Sequence, residues 1–194
     1  TKKLDKVVAN DFVARGILYP QEWDVGQGME QHLTPIWSLR STYWWRTKFP
    51  AGKDVKVSHT YKTAMGGTVG ISFLGEDGKP GGEVWEERKK TYCVDDDLAK
   101  TISKAIEAAP EDQKYSVFFE NWIHYILRTG NNWAGPIAKF TLTVDKGAPE
   151  NLVSFCGEGV KKVGPTTFEM TKADFYPEND LHILLMKKQS SNEQ

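Results

Sequence analysis

The stretch Asn131–Gly147, NNWAGPIAKFTLTVDKG, decides the fold that we predict for this chain. In its second half, apolar residues recur at every second position from 138 to 144, and polar residues lie between them. This period of two is typical of a strand with one buried face. The glycines, asparagines and proline ahead of it favour a turn and interrupt strand pairing. We therefore predict a strand over residues 137–145 that is entered through a corner, with Trp133 covering the open end of the sheet.

The same alternation recurs along most of the chain, and helical spacing is confined to two places. Amphipathic helices are predicted at 4–17 and 96–109, the second with aspartates in its first turn and Pro110 after its end. Residues 18–35 show no period and predict a connector, and the glycine-rich stretch 64–90 predicts a mobile insertion with a short strand at 69–74. The remaining strands are predicted at residues 36–49, 55–62, 115–128, 137–145, 152–155, 166–171 and 181–186.

Strands that follow strands, without helices in alternation, favour an antiparallel arrangement. We predict a mainly β (α+β) fold, an antiparallel β sandwich-like sheet of about seven strands with two appended helices. The 194 residues suit one core domain. We assign residues 1–35 to an N-terminal helix and connector that pack on the core, 36–187 to the β-rich core domain, and 188–194 to a disordered tail.

The charge and hydropathy of the chain bear on two classes of partner. The formal net charge is −1, so the protein has no overall positive field that would attract nucleic acid or anionic lipid, which leaves open a local basic patch. No apolar run approaches the roughly 20 residues of a spanning helix, so we predict no transmembrane segment.

The predicted strand at 36–49 supplies the candidate binding residues. Neighbouring residues on a strand point to opposite faces, so Trp44 and Trp45 cannot both face the core. Trp44 shares its face with Arg40 and Arg46, and we predict that these three residues contact a ligand or partner; the alternative is that a second layer of the fold packs on this face. The chain has seven tryptophans, a number that suggests sugar stacking, but most of them lie among apolar neighbours and are interpreted as core residues.

Candidate catalytic and metal-binding residues do not form a recognisable set. The four histidines lack the spacing of a zinc helix, and we predict no metal site and no cofactor. Cys156 lacks the flanking glycines of a nucleophile elbow. Glu86 with Glu87, or Glu120, could serve as paired carboxylates, but the sequence does not set their separation. We therefore assign no catalytic residue, and the residues alone leave open whether the two cysteines are bridged.

Five blocks of the chain stand out, and the most specific contain WIHYILRTGNNWAGPIAKFTLTVDKG and NLVSFCGEGVKK. Together they resemble the uncharacterised bacterial exported family catalogued as domain of unknown function 4424, over most of residues 36–187. This resemblance implies an exported, periplasmic protein whose signal peptide has been removed, and a Cys93–Cys156 disulfide. It also implies strand-forming sequence further upstream, so the sheet would expose an edge for a missing N-terminal segment or another chain to complement.

Two functional hypotheses follow. The first is an exported, non-enzymatic binding or interaction module whose partner, a cell-envelope protein or a glycan, docks on the face of Trp44, Arg40 and Arg46 or on the glycine-rich loop. The alternative is a cell-envelope hydrolase that acts on glycan or peptide, using Cys156 with a histidine or paired carboxylates.

Overall fold

The computed structural model describes residues 4–38, 40–75 and 77–189. The chain divides into two compact units, residues 1–58 and residues 59–194. The described residues contain nine strands in three antiparallel sheets. The predicted mainly β fold class is therefore confirmed, although the strands are distributed over more than one sheet. The predicted domain limits at residues 35 and 187 stay predictions, and the predicted tail lies outside the described residues beyond Gln189.

The first unit begins with helix α1, Lys6–Ala14, within the predicted range 4–17. The side chain of Asp5 caps it by accepting hydrogen bonds from the backbone N–H groups of Val7 and Val8. A carboxylate at this position satisfies N–H groups that have no partner inside the helix. The helix therefore starts where its capping residue stands.

Strands β1, Leu18–Asp24, and β2, Met29–Pro35, form an antiparallel hairpin over the stretch that we predicted as a connector, so that prediction is wrong. At the turn, the carboxylate of Asp24 accepts hydrogen bonds from the N–H groups of Gly26 and Gly28, both of which have positive φ. Proline has no backbone N–H to donate to a neighbouring strand. In a two-stranded sheet each strand has one edge without a neighbour, so a proline whose missing N–H would point to that edge is tolerated.

Residues 40–65 adopt neither helix nor strand, so the predicted strands at 36–49 and 55–62 are wrong. Alternation determines which side chains share a face, but a strand also needs a neighbouring strand for its backbone hydrogen bonds. Among the described residues, no strand pairs with this stretch. The aromatic side chains that would have formed one buried face are left exposed.

The second unit contains the other two sheets, and its long strands match the predictions near residues 118, 137, 152, 167 and 181. The four-stranded sheet has the order β3-β4-β9-β6, and the three-stranded sheet has the order β5-β8-β7. Their bounds are β3 Gly66–Val69, β4 Phe118–Tyr125, β5 Ile137–Asp145, β6 Leu152–Phe155, β7 Lys161–Lys162, β8 Thr167–Phe175 and β9 Leu181–Lys188.

Helix α3, Asp96–Glu107, confirms the second predicted helix. Asp95 precedes it and accepts a hydrogen bond from the N–H of Leu98 at 2.7 Å. Ala99 and Ile102 have no exposed surface and pack into the core of this unit. Two 3-10 turns, Glu111–Ser116 and Arg128–Asn132, flank β4.

Helix α2, Gly82–Tyr92, lies where we predicted a mobile insertion, and that prediction is wrong. The glycines flank the helix instead of interrupting it. Trp85, Arg88 and Tyr92 recur three and four residues apart on one face, and all three are buried. This buried face adds tertiary stability to a helix whose Glu, Arg and Lys residues also favour helix formation. It packs in a core that includes Phe73, Trp85, Tyr92, Ile102, Leu184 and Met186.

The corner before β5 differs from our prediction in one respect. Trp133 is 66% exposed and does not cover the open end of the sheet. Instead the corner closes on Pro177, which is fully buried; a Cβ on Gly130 would lie only 2.8 Å from Cγ of this proline. The proline occupies the inner side of the corner, so the indole remains in solvent.

Candidate functional site

A disulfide joins Cys93 to Cys156, as the family resemblance implied. Cys93 directly follows α2, with a left-handed φ of 55°, and Cys156 directly follows β6. The bridge therefore ties the C-terminal end of α2 to the end of β6. A bridged sulfur has no thiolate to offer as a nucleophile, so this bond disfavours the cysteine form of the hydrolase hypothesis.

Helix α2 and strand β4 together position a group of polar and aromatic side chains, which we call the Arg88–Glu120 cluster. Residues four apart on a helix share a face, as do alternate residues on a strand. Ser72, from the loop after β3, and His182, on β9, complete the group. Its members are Ser72, Arg88, Tyr92, Glu120, Trp122, His124 and His182.

Glu120 is fully buried at the centre of this cluster. One carboxylate oxygen accepts hydrogen bonds from the backbone N–H and the hydroxyl of Ser72, at 2.6 and 3.0 Å. The other accepts from Nε1 of Trp122 at 3.0 Å and lies 3.5 Å from Nε of Arg88. Because both oxygens are engaged, the carboxylate is held in an architectural role, as buried charges require.

The guanidinium of Arg88 supplies the compensating charge. It lies 5.0 Å from the ring centroid of Trp122 and 5.5 Å from that of Tyr92, within the range of cation–π attraction. It also pairs with Glu87 and donates to the hydroxyl of Ser72. Glu86, the other candidate carboxylate, pairs with Lys89 at 2.7 Å. The candidate carboxylates are thus paired with basic side chains on α2.

A second part of the cluster consists of Tyr92, His124 and His182. The hydroxyl of Tyr92 is hydrogen-bonded to Nε2 of His124 at 2.8 Å, and the two imidazole centroids lie 4.6 Å apart. His124 and His182 are paired in the register of β4 and β9. Nδ1 of His182 is buried and has no hydrogen-bond partner.

The pKa values in this part favour the neutral forms. Burial raises the pKa of Tyr92, chiefly by disfavouring the phenolate. The partial loss of hydration at the largely exposed ring of His124 lowers its pKa, and the neighbouring His182 lowers it further. A neutral imidazole beside a neutral phenol is a hydrogen-bonded pair, and neither group has a bound carboxylate of the kind that activates a catalytic histidine. Across the described ranges, no group of three or more histidine, cysteine or acidic side chains is placed to hold a metal ion.

The sequence-predicted binding residues lie in the first unit, in a stretch that we call the aromatic–basic segment, residues 40–57. Trp44 is 77% exposed, and Arg40 and Arg46 are exposed too. The strand that would have put these three side chains on one face is not formed, so their joint role stays a prediction. The segment has five basic residues and one acidic residue.

Sequence reasoning missed the Arg88–Glu120 cluster as a unit. Local signals were present: Arg88 and Tyr92 are four residues apart on α2, and Glu120, Trp122 and His124 alternate along β4. However, Tyr92 on α2 contacts His124 on β4, which lies 32 positions later in the sequence. His124 in turn lies opposite His182 on β9, a further 58 positions along the chain. Nothing local in the sequence specifies that juxtaposition.

Comparisons with known proteins give one match. A family model described as a domain of unknown function, DUF4424, matches residues 1–184. No curated protein and no solved structure matches the chain. In the described part of the chain, no helix is long and apolar enough to cross a membrane. The match extends over nearly the whole sequence and confirms the resemblance found in its blocks, and the chain therefore belongs to the DUF4424 family.

Proposed function

We propose that this chain is an exported, periplasmic, non-enzymatic interaction module that binds a component of the cell envelope through the aromatic–basic segment, with Trp44, Arg40 and Arg46 in contact with the partner. One observation carries the proposal. Four aromatic side chains within seven positions are strongly exposed: Tyr43 by 87%, Trp44 by 77%, Trp45 by 63% and Phe49 by 66%. Large exposed aromatic side chains this close together in the sequence favour an interaction site.

The disulfide supports the exported location. Disulfides persist in oxidising compartments such as the bacterial periplasm, and cytosolic proteins rarely keep them. The Cys93–Cys156 bridge anchors a core helix to a core sheet, so its role here is structural. A structural bridge suits a protein that folds outside the cytoplasm.

The contacts of the Arg88–Glu120 cluster support a non-enzymatic role. Its carboxylate accepts hydrogen bonds from Ser72 and pairs with the guanidinium of Arg88, and the imidazole of His124 is hydrogen-bonded to the phenol of Tyr92. Side chains with these partners stabilise the fold. The aromatic–basic segment, by contrast, presents side chains whose surfaces remain open to a partner.

Photocrosslinking tests the proposal in living cells. A benzophenone amino acid is placed at position 44, and in a second strain at position 133, where the native tryptophan is similarly exposed. Irradiation should give a covalent adduct from position 44 and none from position 133. The same cells should release the protein with the periplasmic fraction, with Cys93 and Cys156 inaccessible to a thiol-reactive polymer before reduction.

Equal adduct yields at the two positions, or no adduct at either, would contradict the assignment of the segment as the binding element. Free thiols on protein from a cytoplasmic fraction would contradict the exported location. The two readouts are independent, so each half of the proposal is judged separately.

A further inference from the structure

We infer that the partner of the aromatic–basic segment is the anionic surface of a lipid bilayer. This inference rests on the proposed function, because it names the partner of the same segment. It draws on three features of residues 40–57: the sign of their charge, the kind of apolar side chain they expose, and the order in which the two alternate.

The charge of the segment opposes that of the rest of the chain. Residues 40–57 contain five basic residues and one acidic residue, for a net charge of +4, whereas the other residues contain twenty basic and twenty-five acidic residues, for a net charge of −5. An anionic surface would therefore attract the segment and repel the remainder. Such a surface orients the protein as well as binding it.

The exposed apolar side chains are those that favour the boundary between water and lipid. Tyrosine and tryptophan are enriched at membrane interfaces, where their rings lie at headgroup depth. The segment exposes Tyr43, Trp44 and Trp45 together, with Phe49 close behind. A bilayer interface accommodates a row of such rings without requiring a shaped pocket for each of them.

The order of residues lets both kinds of contact form at once. In an extended backbone, Tyr43, Trp45 and Phe49 fall on one side, and Trp44 falls on the other with Arg40, Arg46 and Lys48. The ring of Trp44 would lie among the basic side chains at headgroup depth, where tryptophan is favoured. Aromatic rings can then enter the headgroup layer while the long basic side chains reach the phosphates from above. An acidic protein surface would satisfy the charges, but it would have to supply a matching apolar groove for the rings.

Co-sedimentation with vesicles tests the inference on the full chain. Binding is measured to vesicles of phosphatidylglycerol and phosphatidylethanolamine in equal parts and to vesicles of phosphatidylcholine alone. Binding to the anionic vesicles should be much tighter and should weaken as salt is added. Each basic residue near an anionic surface contributes about a fivefold factor, so R40Q/R46Q should weaken binding about 25-fold. Trp44→Ala should weaken it about tenfold through lost ring burial.

Matched controls lie in the second unit. K161Q/K162Q removes two exposed positive charges from β7, and Trp133→Ala removes an exposed indole. Both should leave vesicle binding within about twofold of the unaltered protein, and circular dichroism checks that all four variants are folded. Equal binding to both kinds of vesicle, no binding, or equal losses in the control variants would overturn the inference.

The outcome also separates this inference from the proposed function. An adduct from position 44 in cells, formed with a protein or glycan while vesicles fail to bind, overturns the lipid partner and leaves the interaction module standing. A lack of both adduct and vesicle binding overturns both.

Discussion

The hydroxyl oxygen of Tyr92 lies 2.8 Å from Nε2 of His124, although 32 positions separate the two residues in the sequence. Their contact joins α2 to β4 at the more exposed end of the Arg88–Glu120 cluster. His182 from β9 completes the environment of the imidazole, and Arg88 and Glu87 on α2 act on its charge. The protonation state of His124 therefore reports on the packing of three elements.

Acidification is expected to destabilise the protein through His124. Its pKa is lowered in the folded state, by partial loss of hydration first and then by His182 and Arg88, with Glu87 opposing them. The unfolded chain therefore takes up a proton before the folded protein does. The free energy of unfolding should fall as the pH drops through the ordinary value of 6.5 towards the lowered pKa, and should recover as the pH rises.

Urea unfolding at a series of pH values measures this dependence, and His124→Gln provides the comparison. The variant lacks the titrating group, so its stability should change less over the same interval. Parallel profiles for the two proteins would show that other groups produce the pH dependence.

Glu120→Gln should destabilise the second unit by about 2–3 kcal/mol, because it removes the fully buried counter-charge of Arg88 and leaves only the half-exposed Glu87 paired with the guanidinium. The side chain of Arg88 is only 11% exposed. A double variant, R88L/E120L, removes both charges and should be less destabilised than the sum of R88L and E120L. Chemical denaturation measures these three variants together with Glu120→Gln, and additive losses in the two single leucine variants would mean that the two charges are not coupled.

Reduction of the Cys93–Cys156 disulfide should lower the free energy of unfolding by about 4 kcal/mol on the loop-entropy relation. The bridge closes a loop with a sequence separation of 63, which sets this magnitude. Denaturation with and without reductant measures the loss, and C93S/C156S should reproduce it. A loss below about 1 kcal/mol would indicate an unfolded state that is compact without the bridge.

Two tryptophans are expected to respond differently to replacement by alanine. Trp85 is 7% exposed and packs against Phe73, with ring centroids 5.4 Å apart, so Trp85→Ala should cost about 3–5 kcal/mol. Trp133 is 66% exposed, and Trp133→Ala should cost less than about 1 kcal/mol. Thermal unfolding of both variants under the same conditions makes the comparison. Similar losses would contradict the placement of the two rings.

Sequence patterns predicted the elements whose signals are local. Helix α3 begins at its capping aspartate and ends before Pro110, and β5 follows the alternation that starts after Pro136. The family resemblance supplied the disulfide pairing, which the residues alone left open. Helix α2 was missed because the glycines before it favoured a loop, although its run of Glu, Arg and Lys favours a helix. The burial of Trp85, Arg88 and Tyr92 that anchors it depends on distant segments.

By itself, the sequence determined the fold class, the long strands of the second unit and the helix at residues 96–107, because capping and periodicity act between residues that are neighbours in the chain. Only the tertiary structure decided that residues 18–35 pair as a hairpin and that residues 40–57 form neither helix nor strand. It alone also brought Glu120, Arg88 and His124 into one cluster. The physical reason is the same in each case: strand pairing and charge compensation depend on which distant segment lies alongside, and alternation along one segment does not specify its neighbour.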